Sequence, residues 1–278
     1  MKKERVDKVL VERGLAPTCE KAQALVMAGL VESGGTRLDK PGRLVPADLP
    51  IAVLKPPPYV GRGGLKLEEA LDAFGVAVAG AVCVDVGSST GGFTDCLLQR
   101  GAARVFAVDV DVRQIDARLR ADPRVVLVEK NARTLEPADL RAAGGPGGGG
   151  RAAPPVDIVV MDVSFISILK ILPAVRAICR PEATAVLTLV KPQFEAGRGQ
   201  VGPKGLVRDR STHAAVLRRI AAEAPGLGFA LRGLFRCRTR GRTGNQEFFA
   251  RWTAGGVFPG EADVLQWIDS VTRENGGP

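Results

Sequence analysis

Apolar residues Val6, Leu10 and Val11 recur at helical spacing, and Gly14 ends that helix. Thr18 is placed to cap a second helix over 19–28, with Ala22, Leu25 and Val26 on one face and Gly29 at its end. Three short β segments are expected next: 30–32, 36–38 across the Gly34-Gly35 turn, and 51–54. Lys55-Pro56-Pro57-Pro58 then reads as a stiff spacer. The pattern thus sets off residues 1–55 as a small α+β domain and 56–60 as a linker.

From about residue 61 short apolar runs alternate with helical ones. Helices are expected at 64–74, 90–100, 168–178 and 211–224, and strands at 81–86, 105–110, 125–129, 156–161 and 183–190. Apolar strands interleaved with helices mean a parallel sheet covered on both faces, an α/β fold. The runs 229–236 and 247–252 are close enough to pair antiparallel at one edge. The stretch 142–155, with GGPGGGG at 144–150, reads as a flexible insertion, and 253–278 as a tail with one weak helix. The second domain therefore spans 61–252.

Composition adds a direction. The chain has 278 residues, 45% hydrophobic and 25% charged, with 39 Lys and Arg against 30 Asp and Glu, a net charge of +9. Such a surplus suits an anionic partner, although solubility alone also accounts for it. Residues 73–84 are the longest uncharged run, too short to span a bilayer, and MKKERVDKVL has no apolar signal core, so a cytoplasmic protein is expected. Five scattered cysteines without C-x-x-C spacing argue against a disulfide framework or a structural metal. A single histidine, His213, excludes multi-histidine metal sites and leaves catalysis to Lys, Asp, Glu or Ser.

One segment combines a strand, a turn of small residues and a helix start: VDVGSSTGGF at 84–93. Gly87, Gly91 and Gly92 permit a sharp turn and close approach of a ligand. The next strand ends at Asp109, where an acid commonly holds ribose hydroxyls. The spacing lacks the early second glycine of G-x-G-x-x-G, so a nucleoside without phosphates, S-adenosylmethionine, fits better than a dinucleotide. A purely structural turn is the alternative.

Charged residues also fall at strand ends that share one rim: Asp162 after 156–161, Lys191 after 183–190 and Glu247 at the start of the last strand. Lys66 lies on the first helix of the second domain. Strand-end charges are commonly just solvated, and the pattern alone does not single out these four. Methyl transfer to a ribose hydroxyl needs a base, and a lysine serves only when neutral. A neighbouring cation favours that state and a carboxylate opposes it.

Six motifs in order carry a family resemblance: GRGGLKL at 61–67, VDVGSSTGGF at 84–93, DPRVV at 122–126, MDVSFIS at 161–167, LVKPQFEAGRGQVGP at 189–203 and GNQE at 244–247. Over roughly residues 4–252 the chain resembles the TlyA, or hemolysin A, family of ribosomal RNA 2′-O-ribose methyltransferases. The resemblance implies an S4-like RNA-binding domain followed by a Rossmann-like, FtsJ-like methyltransferase domain that uses S-adenosyl-L-methionine. Its Lys-Asp-Lys-Glu tetrad maps onto Lys66, Asp162, Lys191 and Glu247. The cofactor set expected is Asp85, Gly87, Ser88, Ser89, Thr90, Gly91, Gly92, Phe93, Asp109, Val110, Asn131 and Asp162. The implied substrate is cytidine ribose in ribosomal RNA of one or both subunits.

RNA docking departs from the family pattern. Cys19-Glu20 stand where Ser-Arg is usual, and residues 1–60 hold ten basic against seven acidic groups. Residues 191–242 hold twelve basic and three acidic, a local surplus equal to that of the whole chain. Arg236, Arg238, Arg240 and Arg242 alternate, which in an extended segment puts them on one face. With Arg5, Lys8, Lys21 and Arg62 they form the candidate RNA contacts; a solvated arginine-rich hairpin is the level alternative. Phe165 reads equally as a stacking platform for a flipped base or as packing. Two rival functions are an inactive ribosome-assembly factor, which the complete tetrad opposes, and a membrane-active toxin, for which no spanning or basic amphipathic helix exists.

Overall fold

The computed structural model describes residues 3–55, 57–141, 153–197 and 199–273, so the glycine-rich insertion lies outside the described residues as far as 152. The chain divides into two compact units, Met1–Pro58 and Tyr59–Pro278.

In the first unit, β1 (Lys3–Arg5) leads directly into α1 (Val6–Glu12), followed by α2 (Cys19–Met27), β2 (Val31–Ser33), β3 (Thr36–Arg37), β4 (Leu44–Pro46) and β5 (Ala52–Val53). Gly14 and Gly29 take positive φ of 69° and 68° at the two helix ends. Thr18 Oγ1 accepts from Lys21 N at 3.2 Å, the expected cap. Val6, Leu10, Ala22, Val26, Val31 and Val45 form the buried core. Two antiparallel patches result, β1 with β4 and β3-β2-β5. The polar triplet of β1 has no strand signature; backbone pairing with β4 makes it a strand.

Tyr59 belongs to the second unit. It is 6% exposed, and a Cβ on Gly64 would lie 2.4 Å from its ring, so the spacer ends earlier than residue 60. Here α3 (Gly63–Phe74) precedes β6 (Val82–Val86), α4 (Gly92–Gln99), β7 (Arg104–Asp109), α5 (Ala117–Arg120) and β8 (Val125–Glu129). Then come β9 (Ile158–Met161), α6 (Leu172–Ile178), β10 (Ala185–Val190), α7 (Pro192–Glu195), α8 (Arg210–Glu223), β11 (Phe229–Arg236), β12 (Phe248–Ala254) and α9 (Glu261–Thr272). The seven strands run in the order β11-β12-β10-β9-β6-β7-β8. β6 to β10 are parallel, and β12 is antiparallel to both β10 and β11.

Alternate residues of the strands feed two cores. Val84, Val86, Phe106, Met161 and Trp252 pack on one face, and Cys83, Val105, Leu187, Leu189 and Phe249 on the other. The sheet order reverses between β6 and β9, so the crevice at their carboxyl ends is where such a fold binds ligands. The C-terminal stretch is more than a tail. α9 packs on α8 and β11, and burial of Ile268 and Val271 joins it to the core.

Candidate active site

The glycine turn lies at that reversal. Gly87 has φ of 84°, and a Cβ there would lie 2.6 Å from the carbonyl oxygen of Asp162, so only glycine lets β6 end against β9. A second glycine segment covers the turn. A Cβ on Gly92 would sit 3.2 Å from Gly61 O, and one on Gly63 3.3 Å from the Phe93 ring. The α3 start thus rests backbone-to-backbone on the α4 start, which is what GRGG at 61–64 accomplishes.

Two cavities open here. The larger, about 470 Å³, lies along the ends of β7, β8 and β9 and includes Asp109, Val110, Asn131, Asp162 and Ile166 in its wall. The smaller, about 310 Å³, is walled by Arg62, Gly63, Ser88, Thr90, Gly92, Phe93, Asp162, Ser164, Lys191 and Arg242. Gly87, Ser89, Asp162 and Ser164 belong to both. Asp109 accepts from Ser89 N at 2.9 Å through Oδ2 and from Asp111 N at 3.1 Å through Oδ1. Each carboxylate oxygen keeps acceptor capacity for hydroxyl donors. An acid beside a slot flanked by Val110 and Ile166 fits a ribose and its base. Asp109, Val110, Asn131 and the Gly87–Ser89 turn would hold S-adenosylmethionine there.

Two residues of the expected cofactor set face elsewhere. Asp85 is 0% exposed and lines neither cavity; it sits beneath the turn, with Oδ2 accepting from Thr94 Oγ1 at 2.7 Å and Oδ1 without a partner. Burial pushes its carboxyl up to about 7. Gly91, at φ 94°, directs its missing side chain at Leu119 and Ile115. It shapes the turn instead of touching a ligand.

The four expected catalytic residues meet as two pairs. Lys66 Nζ on α3 lies 2.5 Å from Oε2 of Glu247, which stands just before β12, and the side chains are 9% and 3% exposed. Lys191 Nζ, after β10, lies 2.5 Å from Asp162 Oδ1, after β9. That contact is an ion pair in distance only. Asp162 Oδ1 has no aligned hydrogen bond, and the lysine donates instead to Ser164 Oγ at 2.9 Å. The buried Cys237 thiol is pushed up by burial and then by Glu247; Lys66 opposes, and Asp162 adds to the rise.

Several residues that hold this arrangement were not among the expected site residues. Asn245, 1% exposed, accepts from Val207 N at 2.9 Å and donates to Gly205 O at 2.8 Å. Gln246 donates to Cys237 O at 2.7 Å. Glu69, one turn beyond Lys66, accepts from Arg238 N and Thr239 Oγ1 at 2.7 and 2.8 Å. The GNQE motif is thus a clamp whose last residue is the partner of Lys66. Ser164 was overlooked, although it lies within the MDVSFIS motif.

Phe165 is 89% exposed with φ of 64°, its ring 4.8 Å from that of Phe194. It lines the larger cavity with its backbone in the left-handed region, an uncommon conformation for a bulky residue.

The basic residues divide. Arg62 and Arg242 line the smaller cavity. Arg5 is committed to the buried Asp7, at 3.0 and 2.6 Å, and Lys8 faces Glu4 at 3.8 Å. Lys21 is exposed. The one-face stripe does not form, because β11 ends at Arg236 and the chain then turns: Arg236 and Arg240 line a different pocket from Arg242.

Residues 59–253 match the FtsJ-like methyltransferase family and residues 4–50 the S4 domain. The chain is 49% identical to a Bacillus subtilis protein named "Putative rRNA methyltransferase YqxC", over 89% of this chain and 84% of that protein. It is 44% identical to the 16S/23S rRNA (cytidine-2′-O)-methyltransferase TlyA of Mycobacterium tuberculosis, over 88% of each. A solved structure, "Putative hemolysin from Streptococcus thermophilus", superposes with a TM-score of 0.70 at 39% identity, covering 98% of this chain and 96% of that one. Glycine turn, strand order, S4 domain and these likenesses agree: the chain belongs to the TlyA/hemolysin A family of S-adenosylmethionine-dependent, FtsJ-like methyltransferases.

Proposed function

We propose that this enzyme methylates the 2′ hydroxyl of a cytidine ribose in 16S or 23S ribosomal RNA, with the S4 unit helping to hold the RNA. The observation that carries this reading is the Lys191–Asp162 pair, with Lys191 in the wall of the smaller cavity and Asp162 in the walls of both, backed by the buried Lys66–Glu247 pair. When bound, S-adenosylmethionine supplies an electrophilic methyl group on a sulfonium sulfur.

The smaller cavity receives the ribose. Lys191 Nζ would take the proton of the 2′ hydroxyl. Ser164 and Asp162 hold that nitrogen in place, so Lys191 is the base and Asp162 its orienting partner. Lys66 and Glu247 are buried outside the wall of that cavity and join α3 to the segment just before β12. Arg62 and Arg242 face the cavity as cations for the phosphates flanking the ribose. Phe165 offers a face for a base drawn out of its stack.

The test is transfer of labelled methyl groups to purified 30S and 50S subunits and to naked ribosomal RNA, followed by nucleoside analysis. Label in 2′-O-methylcytidine is expected. Label on a base, or cofactor binding with no label on any RNA, overturns the proposal.

A further inference from the structure

A second polar pocket, about 390 Å³, lies where the 236–246 turn meets the start of α8, away from the cofactor cavities. Four arginines line it, Arg208, Arg210, Arg236 and Arg240, with the 8% exposed His213, and no carboxylate is in its wall.

The charge state of these arginines departs from the habit of this chain. Elsewhere an arginine is neutralised by an aspartate two residues away, as in Asp111–Arg113, Asp116–Arg118 and Asp122–Arg124. In the pocket only Arg210 has such a partner among the described residues, Asp269 at 2.8 Å. Arg236 donates to the carbonyl of Arg273 at 2.9 Å and Arg240 to that of Gly244 at 3.4 Å, which leaves most of each guanidinium's donors free. Arg208 has no partner among the described residues and also lines an adjoining cavity with Lys204 and Asp209. Burial pushes the His213 imidazole below its ordinary range. Its Nε2 meets Val207 O at 3.1 Å, and the charges of Arg236 and Arg240 oppose a further cation there. Like charges drawn round a cavity, with only Arg210 paired to a carboxylate among the described residues, repel, and a bound anion relieves that repulsion.

Position narrows the anion. Arg240 lines this pocket, and Arg242, two residues on, lines the catalytic cavity. Two residues of extended chain reach about 7 Å, so one RNA strand is able to engage both.

We infer that the pocket of Arg208, Arg236 and Arg240 is a phosphate-binding site that takes a backbone phosphate of the substrate RNA beside the ribose presented to Lys191. Its ligand is a phosphodiester; the inference rests on the proposed RNA substrate but not on the catalytic roles. Free phosphate shares this chemistry, and the test separates the two sources.

Arg208 and Arg240 are both exposed, so Arg208→Gln with Arg240→Gln leaves the core untouched. Binding of a short fluorescein-labelled single-stranded RNA is followed by anisotropy across a salt series, a readout that needs no methyl transfer. The double variant is expected to bind about tenfold more weakly, with the slope of log affinity against log salt reduced by about 0.7 for the one lost phosphate contact. Arg118→Gln, which removes one charge far from the pocket, is the control. Equal weakening by Arg118→Gln, or an unchanged salt slope in the double variant, overturns the inference. Thermal stabilisation of the parent by inorganic phosphate that the double variant loses, with RNA affinity unchanged, assigns the pocket to a free anion and also overturns it. A chain that binds RNA in this way yet transfers no methyl group fails the proposed catalysis while leaving this site standing.

Discussion

Asp85 offers a direct test of how the glycine turn is supported. Its side chain is wholly buried, one oxygen takes the Thr94 hydroxyl, the other has no partner, and its carboxyl titrates at about 7 against an ordinary 3.8. Between those values the folded chain holds a proton that the unfolded chain has released. The stabilisation is therefore fully present below pH 3.8 and is lost as pH rises towards 7. Three units at 1.36 kcal/mol each amount to about 4 kcal/mol, of which roughly 2 to 3 fall between pH 5 and 8. Asp85→Asn keeps an acceptor for Thr94 and cannot ionise. Urea unfolding of both proteins across that range gives the difference in stability at each pH. A constant offset reflects packing, whereas the change with pH reports ionisation alone. The variant should gain on the parent by about 2 to 3 kcal/mol from pH 5 to 8 and level off above. A difference that is flat with pH, or that favours the parent as pH rises, refutes the reasoning.

Three further outcomes are expected. Lys191→Ala and Lys191→Arg should both lower single-turnover transfer by about 10²-fold or more, with cofactor affinity by equilibrium dialysis unchanged; an active arginine variant would make the role one of charge. Lys66→Ala should cost about 3 to 5 kcal/mol in urea unfolding by stranding the buried Glu247, and Lys66→Met with Glu247→Gln should recover much of the fold without recovering transfer. Gly87→Ala meets both a positive φ and a 2.6 Å clash. It should lose about 2 to 4 kcal/mol in thermal unfolding together with cofactor binding.

The parallel strands were legible because their apolar runs must be buried on both faces, and Gly14 and Thr18 mark helix ends by local chemistry. The turn at Gly87 and the acid at Asp109 were legible for the same local reason. What stayed hidden depends on distant partners. β1 is a strand only because β4 pairs with it, and α9 belongs to the core only because α8 and β11 receive it. Asp85 reads as a cofactor residue in the motif, yet strand alternation turns it inward to Thr94. The arginine alternation failed because β11 stops at Arg236, which no periodicity announces. The pairing of the four charged residues entered through resemblance, since strand-end charge alone does not distinguish a site from a solvated rim.

The placement of β12 has a consequence for the order of events during synthesis. This strand follows every other strand of the sheet in chain order, yet it occupies the interior of the sheet between β10 and β11 and brings in Glu247, 181 residues after the lysine it meets. Such a long-range closure is slow to form and comes late. The cofactor turn at β6, by contrast, is built from neighbours made early. A growing chain therefore has every residue of its nucleoside cradle well before Lys66 has its partner. The Lys66–Glu247 pair thus forms only once β12 is in place, as a property of topology alone.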